Sequence, residues 1–444
     1  MNSTAPGSAP REYPVTGWRA TFASMSVPEY GLYFYGMVAF FFGMNMMVVL
    51  RGYLVYEMTN SEVALALIML SVALPMLVMA PIGGVIADRV DKRSLMLWAQ
   101  ISVCALNLLN TILISTGVIE FWHLVILSAL SGTTFSFIMP ARQAIIPRLV
   151  PRELLMNGMS LSSSAMNGTR IIAPAVGGLL IAPIGIGGGF AVLTAMYALS
   201  AVLTIGLPKV PPEIRDTRVT FFSDFADGFR YIRSDRLVLG LLLLGTVPMI
   251  FAMPYQTLMP VFASKVWHVG SSGLGVLQAM SGVGGLAGAL VTANMDRSPR
   301  KGRAMLMAAV GTGVFLIAFS FSSFGVALPM LVMVGLMSMI FMTVNTTVIT
   351  SIVPDGVRGR VASVSMMTFG LMPLGAVPAS IAAGTIGTPA VTAIGGTLLM
   401  ASVVAAYLAF PQFRTLDGTI QMQRSDRDRE AADFGQVPAK AAGG

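Results

Sequence analysis

The chain has 444 residues, of which 55% are hydrophobic and 11% charged, and its mean hydropathy is +0.77. Soluble proteins carry about 25% charged residues, so a water-soluble globular enzyme is excluded. The net charge of +8 follows from where the basic residues sit relative to a bilayer, and no nucleic-acid partner is needed to explain it.

The first residues are polar and Pro-rich, which predicts a disordered cytoplasmic tail over 1–27, with the first apolar span acting as its own signal. A hydrocarbon core of about 30 Å takes about 20 helical residues to cross. Apolar runs of that length predict six spans at 28–56, 61–86, 95–117, 121–140, 158–182 and 187–207, making an N-terminal bundle over 28–207. A cytoplasmic linker over 208–236 follows, in which Phe222, Phe225, Phe229 and Ile232 recur at helical spacing with charges between them. That pattern predicts an amphipathic helix along the inner leaflet. Six further spans at 237–262, 271–294, 304–323, 326–349, 362–386 and 389–410 make a C-terminal bundle over 237–410, and a second disordered cytoplasmic tail fills 411–444.

Basic residues stay on the cytoplasmic side of a membrane protein. With the amino terminus inside, only Lys265 of the 28 Lys and Arg falls in an outer loop, and only Arg51 and Arg170 fall within spans. An odd number of spans would scramble this pattern, so both termini are predicted cytoplasmic. Cys104, the single cysteine, lies in an apolar run, and His123 and His268 have no ligand partners at useful spacing, so no metal site and no cofactor are expected.

Ionisable residues at membrane depth are costly and mark functional positions. Arg170 sits roughly 18 Å from either end of its span, beyond the reach of its own side chain to the interface, and must face a wet cavity or a partner. Arg51 lies closer to the outer edge, where snorkelling explains part of its placement. No Asp or Glu lies in the middle of any span, which favours anionic or strongly hydrogen-bonding substrates and leaves protons, as a coupling ion, only Asp88 or the carboxylates at span ends. Asn45, Asn167, Asn345 and Thr346 are further polar residues at depth and are expected to line a substrate pathway with Arg51 and Arg170. Small residues four apart, Ala80 and Gly84, Ala173 and Gly177, Gly284 and Gly288, Gly375 and Ala379, predict close helix packing along a seam between the halves. The Gly-rich strings lack the Lys-Ser/Thr ending of a nucleotide-binding loop, so no ATPase motor is expected.

The two halves repeat. Val150-Pro151 before span 5 returns as Val353-Pro354 before span 11, 203 residues on, and Asp88-Arg89 returns as Asp296-Arg297, 208 residues on. Gly84, Asp88, Arg89, Lys92 and Arg93 resemble the signature between spans 2 and 3 of the major facilitator superfamily, in which a glycine precedes an Asp-Arg pair and two further basic residues. The strings 54–61, 170–178 and 354–361 are similar to those of the enterobactin and macrolide exporters within it. Ala173 departs from the antiporter pattern, which has a glycine before Pro174.

The resemblance implies an all-α membrane protein of twelve transmembrane helices, two six-helix bundles related by a pseudo-twofold axis. It further implies a monomeric secondary active transporter of the cell inner membrane that exports a small amphipathic molecule, such as a siderophore or antibiotic, by alternating access. It implies that Asp88 caps span 11 near Arg360 and Val361 as a gating latch, with Arg358 in the same gating motif. Uptake or lipid movement by the same fold is the alternative, and a non-transporting sensor or scaffold is the alternative of another class; an enzyme is not expected.

Overall fold

The computed structural model describes residues 22–211, 229–295, 300–354, 371–414 and 416–418, with 357, 361 and 364; for Pro81, Val85, Asp88, Pro140, Gln143, Ala144 and Arg152 it describes the backbone alone. Arg358, Arg360, Phe222 and Phe225 lie outside these residues, as do the Asp88 side chain and most of both tails. Among the described residues every regular element is helical. In hydrocarbon each backbone N–H and C=O must be satisfied within the segment, which a helix does and an open strand does not.

Helix α1 (Pro28–Thr59) ends at Asn60, whose φ of 47° is the left-handed conformation that stops a helix. Ser61 then caps α2 (Glu62–Arg89) by accepting from Ala64 N. Asp91 caps α3 (Lys92–Ser115) through Ser94 N, and α4 (Phe121–Leu149) follows. These turns define two ends of the molecule, the Asn60 rim and the Val90 rim.

The run Leu155–Ile205 is helical over 51 residues but for Gly185, at φ 71° and ψ 173°. Straight, it would measure about 75 Å, more than twice the thickness of a hydrocarbon core. Its contacts with α1 show that it doubles back. The Tyr30 hydroxyl donates to Gly158 O at 2.7 Å and Met46 packs on Gly177, so 155–184, or α5, runs parallel to α1. Ser200 donates to Gly36 O at 2.7 Å and Leu50 packs on Gly189, so 186–205, or α6, runs antiparallel to it. Only a residue without Cβ takes Gly185's conformation without strain.

The second half holds α7 (Arg236–Val266, opened at Ala252–Met253), α8 (Gly270–Asn294), α9 (Lys301–Ser320), α10 (Phe324–Ile352), α11 (Met372–Ile386) and α12 (Thr388–Ala409). Ten described runs are long and apolar enough to cross a bilayer when 155–205 counts as one, and α11 is a shorter apolar helix. Large apolar side chains such as Trp98, Val202, Leu290 and Leu408 are exposed, the surface of a protein whose solvent is lipid.

Buried apolar side chains form two clusters, one drawn from α1–α6 and one from α7–α12. Leu258, Val261, Ala383 and Val391 cross into the first and Val49 into the second. Ile232, expected on the lipid-facing side of the linker helix, is instead buried against the second cluster, while Phe229 is exposed. The hydrophobic face of this segment is split because its last turn docks on the bundle that it enters.

The halves meet along α5–α8 and α2–α11, with the end of α7 against α1 and α2. A Cβ on Gly178 would lie 2.4 Å from Gly275 Cα, and one on Gly282 would lie 2.5 Å from Ile171 Cγ2. Other helix pairs across the halves touch only weakly among the described residues, so the seam is closed from the Asn60 rim to about mid-depth. Four glycines of the small-residue pairs expected there do a different job. Gly177 packs on Met46 of α1, Gly284 and Gly288 on Val332 and Leu336 of α10, and Gly375 on Ile250 of α7, all within one half, while Gly84 meets no described atom within 4 Å. Spacing shows that a helix can be approached closely, and the neighbour's identity is decided by helix rotation, which spacing does not encode.

Because the α5–α8 approach leaves no room for a methyl group, Gly178→Ala should push the halves apart at this rim. Such overpacking costs about 1–3 kcal/mol, and a spin-label distance across α5 and α8 should lengthen while thermal unfolding of each bundle stays near wild type. Gly284→Ala should instead lower the unfolding temperature, because Val332 O would stand 1.9 Å from the new Cβ within the second half.

Candidate functional site

Helix α5 places residues three and four apart on one face. Met159, Ser163, Met166 and Arg170 follow this spacing with Asn167 beside them, and all five are exposed. On the other side of the same helix the exposed residues are apolar, Ile172 at 57% and Leu179 at 47%. The apolar side suits lipid. The polar stripe points into the space left between α1 and α8 below the closed seam, and Arg170 stands at the top of it, next to Ile171, whose backbone abuts Gly282 of the second half. Arg170 lies within electrostatic reach of Tyr255 on α7. Tyr255 is itself buried, its hydroxyl 3.1 Å from Ser281 Oγ.

The other pathway candidates are not gathered with Arg170. Asn45 is half-buried and donates back to Phe41 O at 2.8 Å. Arg51 donates to Ser128 of α4 at 3.1 Å and lies near Tyr197 of α6, so it ties three helices of the first half together. Asn345 is buried against Gly245 of α7, with its Oδ1 lacking a hydrogen-bond partner, while the next residue, Thr346, is exposed. An apolar cavity of about 260 Å³ between α7, α11 and α12 is lined by residues such as Phe251, Leu258 and Leu374. Its lining carries no charge and only the Tyr255 and Thr392 side chains as polar groups.

The rim motif is built around the exit of α6. Asp91 Oδ1 accepts from Val210 N at 2.6 Å and Oδ2 from Ser94 N at 2.8 Å. Burial works to raise the Asp91 pKa, but these bonds and nearby Arg93 outweigh it and hold the carboxyl below its ordinary 3.8. Lys92 is buried and donates to Ala87 O at 3.2 Å. Arg93 donates to Thr204 O and Ile205 O, carbonyls of the last turn of α6, where a cation also complements the helix dipole. Arg89 is exposed and Gly84 is half-buried in α2.

Two features escaped the sequence reading. Arg142, which the expected span 121–140 leaves just outside the membrane, lies inside α4, which runs on to Leu149, and is only 4% exposed. Its guanidinium stacks 4.5 Å from the Phe40 ring centroid and 5.4 Å from that of Phe41, and it is hydrogen-bonded to Tyr33. The Gln100 amide oxygen accepts from it at 3.1 Å when the amide is turned to satisfy its neighbours. Aromatic faces and neutral acceptors thus replace a carboxylate. The signal available was the helix-compatible run after Pro140.

The second feature is the ion pair between Glu62 and Lys265, at 3.0 Å, which joins α2 to α7 across the halves at the Asn60 rim. Opposite charges beside two span ends were visible in the sequence, but their partnership depends on the halves being closed there.

Removing the Asp91 carboxylate should loosen the rim. Asp91→Ala should lower stability at neutral pH by about 1–2 kcal/mol, the loss of a cap and a charge-assisted bond. Because the folded-state pKa is depressed, the wild-type advantage is complete above pH 3.8 and fades as pH falls through the folded value below it, which thermal unfolding across pH would report. Lys265→Gln should act more mildly. With Lys265 at 61% exposure, the pair is worth under about 1 kcal/mol, so spin-label distances across this rim should show at most a roughly fivefold shift toward separation.

Comparison with known proteins gives this arrangement its kinship. Over 372 residues the chain is 25% identical to macrolide efflux protein A of Streptococcus pyogenes, covering 81% of this chain and 90% of that protein. It is 26% identical over 285 residues to the enterobactin exporter EntS of Shigella boydii, covering 63% and 67%. A bacterial homologue of the human lysosomal transporter Spinster, solved in an inward-facing and unoccupied conformation, superimposes with a TM-score of 0.67 at 16% identity, covering 90% of this chain and 98% of its own. The model of the transmembrane secretion effector family matches residues 20–430. A helical, multi-pass membrane protein matched over nearly its whole length in this way belongs to the transmembrane secretion effector family of major facilitator transporters.

Proposed function

We propose that the chain is a secondary transporter that exports a small amphipathic molecule by alternating access, with the α5 stripe as part of its binding surface. One observation carries this reading: a polar stripe ending in an arginine at mid-depth is exposed beneath a seam that is closed on the other side. An arginine there is tolerable only where water or a ligand reaches it. In this reading α5 and α6 count as separate spans and α11 extends through residues outside those described, giving twelve spans in two bundles, 28–207 and 237–410. The chain acts as a monomer in the inner membrane with both termini cytoplasmic, so the Val90 rim is the inner side and the pathway opens to the cytoplasm.

Export is favoured over uptake by the names of the relatives, a macrolide efflux protein and an enterobactin exporter. Siderophores and antibiotics are therefore the first compounds to try. The latch between Asp88 and the start of span 11, near Arg358 and Arg360, would close the inner rim in the opposite state. Any coupled proton would have to use Asp88 or carboxylates at helix ends.

The test is a panel of antibiotics and siderophores in an efflux-deficient host. Wild type should lower the accumulation of at least one compound, and Asp88→Asn and Arg170→Ala, inserted at equal levels, should each lose most of that effect. Full transport by Asp88→Asn would remove the latch. Accumulation raised by wild type would reverse the direction, and no effect on any compound would favour a sensor or scaffold.

A further inference from the structure

The balance of charge at membrane depth is one-sided. All twenty Asp and Glu residues of the chain fall within a few residues of a helix end, in the 208–236 link or in the tails. Arg51, Arg142 and Arg170 lie well inside helices. Two of the three have at least part of their positive charge met by neighbours: Arg51 by the Ser128 hydroxyl, and Arg142 by two aromatic rings, Tyr33 and the Gln100 amide, although its buried Nε and Nη1 find no hydrogen-bond partner among the described residues. Arg170 differs in being exposed on the stripe, with the hydroxyl-bearing Tyr255 as its electrostatic neighbour and no carboxylate near it among the described residues. A guanidinium is a fork of donors with no acceptor, and its best match is an oxyanion with two oxygens to offer.

The rest of the stripe sets the shape of what binds. Met166 and Met159 are exposed on the same face, about one and three turns below Arg170, and Ser163 and Asn167 lie between. Thioether side chains accommodate varied apolar bodies. From Met159 to Arg170 is roughly 16 Å along the helix, the length of a drug-sized amphiphile.

We propose that the ligand of this site is an amphipathic anion, bearing a carboxylate, sulfonate or comparable oxyanion, which docks that group on Arg170 and lays its apolar body along Met166 and Met159 toward the Val90 rim. This rests on the reading of the stripe as a transport site and adds to it the sign of the ligand's charge and its orientation. A cation on the stripe would meet the Arg170 guanidinium with no carboxylate near it among the described residues. Export of an anion also runs with the inside-negative membrane potential, which favours outward movement about fiftyfold per charge for each 100 mV, so such a substrate needs no coupled proton.

The experiment uses the full-length protein, purified in detergent and also reconstituted in neutral-lipid vesicles, with two fluorescent amphiphiles of similar size: the anion 8-anilinonaphthalene-1-sulfonate and the cation rhodamine 6G. The anion should bind saturably at least tenfold more tightly than the cation. Arg170→Gln should weaken anion binding at least tenfold with an unchanged unfolding temperature, and Arg170→Lys should restore part of it. Met166→Ala should weaken it less, and equally for a neutral analogue of the dye. In vesicles, anion movement should speed up when a potential is imposed negative on the side from which it leaves. Tighter binding of the cation, anion binding indifferent to Arg170→Gln, or no saturable anion binding would each overturn the proposal. Loss of compound-specific efflux in cells would instead overturn the transport reading, so that vesicle binding with no efflux separates the two failures.

Discussion

The structure depends on one constraint: a charge held at the middle of a bilayer must be given water or a substitute for water. Arg51 and Arg142 are given substitutes by their own bundle, a hydroxyl in one case and two ring faces with an amide oxygen in the other. Arg170 is exposed, and only on the side of α5 where its exposed companions are Ser163 and Asn167, not on the side of Ile172 and Leu179. The same helix therefore separates a lipid surface from a polar one, and the halves cannot pack fully together without burying that polar stripe.

The closed part of the seam explains how this opening is maintained. Glycine against glycine at 178 and 275, and glycine against the Ile171 backbone at 282, let α5 and α8 touch from the Asn60 rim to the level of Arg170. Below that level Ser163, Met166 and Asn167 of α5 are exposed, and a Cβ on Gly285 of α8 would meet no described atom within 4 Å. The Glu62–Lys265 pair adds a modest, solvent-screened clasp at the rim itself. At the opposite rim, the Asp91 and Arg93 side chains bond to the Val210 segment and the exit of α6, while Lys92 donates its backbone N–H to Val210 O and its side chain back to Ala87 O of α2. This braces the first half as a body, a precondition for one half moving against the other.

Much of the architecture was legible in the sequence because lipid imposes a strong and local rule: long apolar helices with charge confined to their ends. That rule located the helix ends near Asn60, Val90 and Gly185, while the resemblance to the superfamily came from the motif of Gly84, Asp88, Arg89, Lys92 and Arg93. It also marked Arg51 and Arg170 as residues in need of an explanation. What it did not encode was rotation about each helix axis. Gly177 and Gly284 have the spacing of seam residues yet face their own bundles, whereas Gly178, the next residue, and Gly275, earlier in α8, make the contact between halves. Arg142 was lost for a related reason: hydropathy fell after residue 140 and the span was ended there, but α4 continues to Leu149 because neighbouring aromatic rings supply what a lipid environment would not.

The most direct measurement is the water accessibility of the stripe. In a Cys104→Ser background, single cysteines at Ser163, Asn167 and, as a lipid-facing control, Ile172 would be labelled in oriented membrane vesicles with a membrane-impermeant maleimide. The account predicts rapid labelling at 163 and 167 from the Val90 side, slower labelling from the Asn60 side and almost none at 172. Equal protection of all three positions, or labelling of 172 in preference to 167, would contradict it.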